Sequence, residues 1–180
     1  MLAYVFVHQP IDGADTAEYG ARVVAFHAVL ATAPPEGFQG SWTWRVAAGP
    51  LGAAFEDWYL VEDWTALGTL NTAAVTGPRK APHDDVATQA GAGAGSIYGL
   101  VSGKPASGDR FRLRIGKPPG VPYSGFESAI RNAVGPEGVI WRRQMVLGAD
   151  FEFLVNAPAA PIADTVYGGR IEVSTLRLAP

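Results

Sequence analysis

Six short echoes recur in the same order along the two halves of this chain. "FVHQP" ending at Pro10 is answered by "RIGKP" ending at Pro118, and "PPEG" at 34–37 by "GPEG" at 135–138. Trp44-Arg45 is answered by Trp141-Arg142, and "LGAAFE" at 51–56 by "LGADFE" at 147–152. Leu60-Val61 then matches Leu154-Val155, and "IYG" at 97–99 matches "VYG" at 166–168. One such match is cheap in a chain rich in alanine and glycine; six in order are not. Ordered self-similarity has to be settled before fold, because it defines the folding unit. The chain therefore reads as one unit written twice, over 1–103 and 110–180, with a linker at 104–109 inside the turn-forming "SGKPASGD".

Residues 3–8, "AYVFVH", are β-branched and aromatic and predict a strand. Tyr19, Val23, Phe26 and Leu30 recur at helical spacing within 16–32, with Asp15 or Thr16 to cap the start and Pro34-Pro35 to stop it. "SWTWRVA" and "FEDWYLVE" form a hairpin across "GPLG". "WTALGTLNTAAV" predicts a helix broken by Gly77-Pro78, a short helix follows from Pro82 to Gln89, and "SIYGLVS" is the last strand. Strand, helix, strand, strand, helix, strand is the ferredoxin-like order. The second copy repeats it with "RFRLRIG", a helix presenting Tyr123, Phe126, Ile130 and Val134 on one face, the strands "VIWRRQMVL" and "FEFLVNA", and a last strand in "YGGRIEVSTLRLA". Only "PAAPIADT" stands where its second helix belongs, so that helix is expected to be missing. "GAGAGS" at 91–96 lacks dinucleotide spacing and reads as a flexible connection.

This order of elements, with the stretch "YLVEDWTALGTLN" (59–71), resembles the dimeric α/β-barrel superfamily. The resemblance implies an α+β fold in which two tandem ferredoxin-like βαββαβ units pack their antiparallel sheets as one intramolecular α/β barrel. It also implies a monooxygenase-like activity as one function. Oxygenases of this kind, haem-degrading or cofactor-free, use an Asn on the first strand, a Trp, and a His on the second helix. Trp64 matches; the first strand has no Asn, and Asn71 stands where the His is sought.

A net charge of −3 and a pI near 5.6 exclude nucleic acid as the main partner, because phosphate binding needs a basic surface. There is no cysteine, hence no disulfide framework, thiolate metal site or Cys nucleophile. No apolar stretch is long enough to cross a bilayer, and "MLAYVFVHQP" reads as a strand rather than a signal peptide, so a soluble cytoplasmic protein is expected.

Strand parity carries the functional reading. In the second copy Arg110, Arg112 and Arg114 share one strand face and Phe111, Leu113 and Ile115 the other. The helix takes the apolar face, so the arginines should point away from it, into the space between the two sheets. By the same alignment Tyr4, Phe6 and His8 point there too. The expected ligand-binding residues are therefore Tyr4, His8, Arg112 and Arg114 around a small polar or anionic molecule, with His8 as the candidate general base. The competing reading is a half-wet sheet carrying an Arg–Glu ladder with Glu152, Arg170 and Glu172, which needs no ligand. A structural protein is the further alternative, its homodimer face being the surface that the missing helix would leave uncovered. His27 has no acid or histidine four residues away and reads as a packed or half-exposed side chain. His83, Asp84 and Asp85 diverge by about 100° per residue on a helix and do not converge on an ion. No metal or cofactor is expected. Trp42, Trp44, Trp58 and Trp64 are expected in the core or lining a barrel.

Overall fold

The apolar alternation near the start forms β1 (Leu2–Pro10), and the helical periodicity after it forms α1 (Thr16–Thr32). The Asp15 side chain caps α1 by accepting from the backbone N–H of Ala17 and Glu18 at 2.7 and 3.0 Å. Next come β2 (Phe38–Gly49), β3 (Gly52–Val61), α2 (Trp64–Ala74), a 3-10 turn at Gly77–Arg79, α3 (Lys80–Ala87) and β4 (Ala90–Ser102). β5 (Phe111–Ile115), α4 (Tyr123–Val134), β6 (Val139–Val146), β7 (Phe153–Ala157), β8 (Ile171–Ser174) and β9 (Leu176–Leu178) complete the order. This is a computed structural model, and it describes residues 1–49, 52–105, 111–146, 153–158, 171–174 and 176–178. The architecture is α+β with antiparallel strand pairing.

The chain divides into two units, Met1–Ile97 with Arg177–Pro180, and Tyr98–Leu176. In the first, the strands lie in the order β4-β1-β3-β2, the ferredoxin-like order. β1 pairs with β3 so that Tyr4 stands opposite Tyr59, Phe6 opposite Asp57 and His8 opposite Phe55. Because side chains alternate, these six share the face turned to the helices. Phe26, Leu30, Tyr59, Val61, Ala66 and Leu70 pack there, and Tyr19, Val23 and Phe55 form a neighbouring cluster. Each fully buried Leu, Val or Phe of this layer contributes roughly 1.5–3 kcal/mol. The opposite face carries Ala3, Val5, Trp42, Trp44 and Trp58, all buried. Glu56 is buried on that face and accepts a 2.8 Å hydrogen bond from Trp58 Nε1.

The second unit places its strands in the corresponding order β8-β5-β7-β6. α4 lays Phe126 and Ile130 on the apolar cluster of Leu113, Ile115, Ile140, Phe153 and Val155, with an Arg142–Glu127 ion pair of 2.9 Å on the same side. The helix ends at Gly135, whose φ of +74° suits a residue without Cβ. "LGADFE" and most of "PAAPIADT", on which the missing helix was expected, lie outside the described residues.

Two local expectations change. "GAGAGS" is not a flexible connection but part of β4. A Cβ on Gly93 would stand 2.5 Å from the Phe6 ring, and one on Gly95 would stand 2.7 Å from the Tyr4 ring. The glycines leave room for those rings to lie across the strand. Trp64 is not core: it is half exposed at the first position of α2.

Candidate functional site

The site grows out of period two on the strands and period 3.6 on α1. β1 presents Tyr4 and His8, β3 presents Asp57 and Tyr59, and α1 presents Tyr19 and His27 to the same layer. Tyr4, His8, Tyr19, Asp57 and Tyr59 line a cavity of about 860 Å³ whose lining comes from residues of the first unit. Its walls are largely aromatic and aliphatic, with Phe6, Phe26, Leu67, Leu70 and Val86 among them. Half-exposed Trp64 and exposed Asn71 also line it.

Asp57 is the centre of the polar group and is 3% exposed. Tyr59 donates its hydroxyl to Asp57 Oδ2 at 3.0 Å. His8 Nε2 lies 3.1 Å from Oδ2, and His27 Nε2 lies 3.4 Å from Oδ1. Both imidazole contacts are bent away from hydrogen-bond alignment, so they act as close charge–dipole contacts. The other nitrogen of each ring meets a hydroxyl: His8 Nδ1 is 2.6 Å from Tyr19 Oη, and His27 Nδ1 is 2.7 Å from Ser41 Oγ. Burial pushes the Asp57 carboxyl up, but the facing N–H groups of His27 and His8 outweigh it and hold the acid well below the usual carboxylate range. Burial, and then the charge of Asp57, raise the Tyr4, Tyr19 and Tyr59 hydroxyls above the ordinary phenol value. The tyrosines are therefore neutral O–H groups; with a proton on Nε2, the His8 nitrogen that faces the carboxylate, Nδ1 accepts from the Tyr19 hydroxyl. Tyr19, His8 and Asp57 form a hydroxyl–imidazole–carboxylate series of the kind that activates a hydroxyl for proton transfer.

Tyr4 and His8, two of the residues read from the sequence, line this cavity. Their side chains face the helices of their own unit, not the opposite side of the sheet where an inter-sheet site was expected. The reason is that the β1–β3 register aligns them with Asp57 and Tyr59 under α1. Arg112 and Arg114 lie on β5 of the second unit and are not among the residues lining the cavity. Both point away from α4, as their parity requires; Arg112 is 1% exposed and stands opposite Asn156, and Arg114 stands opposite Leu154 and Glu172. Glu152 and Arg170 lie outside the described residues. Asp57 and Tyr59 were missed, and His27 was set aside as packing. The available signal was "FEDWYLV": two acids inside an otherwise apolar strand must find partners if buried, and parity puts Asp57 on the face of His8. Among the described residues no group of three or more His, Asp or Glu side chains is placed to share a metal ion, and no helix is long and apolar enough to cross a membrane.

No protein-family model matches the chain, and no curated protein matches it as a relative. Solved structures do match. A monooxygenase candidate from Lactobacillus acidophilus NCFM superposes with a TM-score of 0.65 at 12% identity, covering 98% of this chain and 93% of that one. An anthrone oxidase-like protein gives 0.58 at 12% identity, with 98% and 90% covered. A monooxygenase candidate from Fusobacterium nucleatum gives 0.58 at 11% identity, with 97% and 76% covered. This chain shares its α+β fold with these structures. At these identities the likeness is one of fold, and the chemistry has to be argued from the side chains of this chain.

Proposed function

We propose that the first unit is a small-molecule enzyme of proton-abstracting, monooxygenase-like type. Its cavity takes a flat, largely apolar molecule bearing one acidic hydroxyl or enolisable group. Three features support the substrate class: a volume within the range of about 300–1,000 Å³ usual for ligand sites, walls dominated by rings and aliphatic side chains, and one cluster of polar side chains around Asp57. The observation that carries the chemistry is the buried series Tyr19–His8–Asp57, with contacts of 2.6 and 3.1 Å.

The ligand hydroxyl gives its proton to Tyr19 Oη as Tyr19 passes its own to His8 Nδ1. The ligand is left as an anion, and His8 becomes an imidazolium beside the Asp57 carboxylate. Low local dielectric strengthens that pairing. The anthrone oxidase-like protein and the monooxygenase candidates among the fold neighbours support an electron-rich ligand anion whose further partner is dioxygen. Arg112 and Arg114 have no part in this reading, which moves the ligand site from the anionic inter-sheet cleft to the ring-lined cavity.

The test is a titration with 1,8-dihydroxyanthrone followed by absorbance and by thermal shift. The wild-type protein should be stabilised and should produce the spectrum of the ionised ligand below its solution pKa; His8→Phe should bind it without ionising it. Equal ionisation by His8→Phe, or no binding of this or related flat phenols, would overturn the proposal.

A further inference from the structure

His27 takes no part in the proton path described above, yet it is fully buried and touches the same carboxylate. It does not line the cavity. Its surroundings mirror those of His8. Each imidazole turns Nε2 toward one oxygen of Asp57 and Nδ1 toward a hydroxyl, Tyr19 for His8 and Ser41 for His27. His27 also stacks on Tyr59, the third group on the carboxylate, with ring centroids 5.0 Å apart and planes 13° apart. One face of Asp57 therefore looks toward the cavity through His8, and the other is closed by His27 on α1.

We propose that His27 is a positioning residue that acts through Asp57. Its Nε2–H faces Oδ1, keeps the carboxylate charged and turned toward His8, and so fixes the His8 tautomer that leaves Nδ1 open to Tyr19. Ser41 sets the His27 tautomer in turn, by donating its hydroxyl to His27 Nδ1 and leaving the ring proton on Nε2. The inference rests on the proton-abstracting reading for its consequence, but its physical content lies in the protein without ligand. A buried carboxylate with donors on one oxygen only is poorly compensated and is driven to protonate. A protonated Asp57 would present an O–H to one imidazole, and His8 would then place its own proton on Nδ1. The Tyr19 hydroxyl would lose its acceptor.

The titratable groups facing this carboxylate are His8 and Tyr4 from β1, Tyr19 and His27 from α1, and Tyr59 from β3. His83 of α3 packs edge-on to Phe26 and lines the same cavity.

The experiment uses nitrogen-15 and carboxyl carbon-13 NMR on the ligand-free full chain. In the wild type at alkaline pH, both His8 and His27 should carry their proton on Nε2. In His27→Leu, His8 should lose the pure Nε2–H form, and the Asp57 carboxyl should take up a proton at higher pH than in wild type. His27→Gln, whose side-chain amide restores a donor near Oδ1, should recover the wild-type pattern in both. A purely structural role would lower stability in both variants without moving the His8 tautomer. An unchanged His8 tautomer and Asp57 titration in His27→Leu would overturn the inference. So would a wild-type His27 that carries its proton on Nδ1, a result that needs no variant to fold. Failure to ionise the anthrone leaves these outcomes untouched, so the two proposals fail separately.

Discussion

Beneath α1 the first unit buries Asp57, His8, His27, Tyr19 and Tyr59; beneath α4 the second buries Leu113, Ile115, Ile140, Phe153 and Val155. The strand frame is the same. Trp44 and Trp141 point away from the helices, while Arg45 and Arg142 stand opposite Phe55 and Phe153 on the helix side. One step along that face lie Asp57 in one unit and Val155 in the other. The residues opposite Phe55 and Phe153 on the first strands are His8 and Ile115. A dry layer is therefore sufficient to hold this frame together. The ionisable layer of the first unit is an addition whose desolvation must be compensated residue by residue, and it is the layer that borders the cavity.

The comparison is broken most severely by moving the charge. Val155→Asp would bury a carboxylate against Leu113 and Ile115 with no imidazole or phenol in that cluster, and should cost about 3–5 kcal/mol at neutral pH in urea unfolding. Asp57→Val strands two imidazole N–H groups and the Tyr59 hydroxyl, and should cost about 3 kcal/mol. The pH dependences separate the two cases more clearly than the sizes. Asp57 has its pKa lowered in the folded chain, so its stabilisation is full above the ordinary carboxylate range and drains as pH falls below it. Wild type should therefore lose this stability in acid, and Asp57→Val should lack that part of the slope. An Asp at 155 would have its pKa raised by burial, so its penalty should shrink as pH falls. Acid slopes of the same sign in wild type and Val155→Asp would refute the claim that the two layers differ in kind.

The ferredoxin-like frame was legible because it depends on periodicity and turn chemistry. Alternation fixed the strands, helical spacing fixed α1 and α4, and Pro and Gly marked their ends. α3 begins at Lys80 rather than Pro82, since the 3-10 turn at Gly77–Arg79 runs directly into it. The site was half legible. Parity put Tyr4 and His8 on one face, but only the β1–β3 register shows that this face meets Asp57, and register is a long-range property that one strand does not carry. The echo at "LGAxFE" misled at one point: it aligns Phe55 with Phe151, whereas strand pairing sets Phe55 and Phe153 in the same place. His27 has no polar neighbour along its helix; its partners Asp57 and Ser41 arrive from two strands. The glycines of β4 looked like a loop because a strand with so few side chains has little β propensity of its own.

A smaller perturbation tests what makes the cavity rather than what charges it. Gly95→Ala would bring a methyl group to 2.7 Å from the Tyr4 ring, so the ring must swing toward the cavity. Overpacking of this kind typically costs about 1–3 kcal/mol. Anthrone affinity, read from the absorbance titration, should fall by more than the loss of stability alone explains. Gly125→Ala on α4 is the control, since nothing lies within 4 Å of a Cβ there. Equal anthrone affinity in both variants would show that the bare strand is not what gives the first unit its space.

Tyr19→Phe should have the smallest effect on stability and a large effect on function. The ring keeps its edge-on contacts with Phe55 and His8, at centroid distances of 5.1 and 5.6 Å, and only the hydroxyl is lost. One hydrogen bond to an imidazole is worth about 1 kcal/mol, so thermal unfolding should move by a few degrees at most. In packing terms the variant takes one step toward the dry layer of the second unit. Proton transfer, however, would lose Oη, the one atom that receives the ligand proton as it passes its own to His8 Nδ1. Bound anthrone should then remain neutral, with affinity reduced far less than ionisation. If Tyr19→Phe ionises the ligand as wild type does, His8 must reach it directly, and Tyr19 belongs with the packing residues it otherwise resembles.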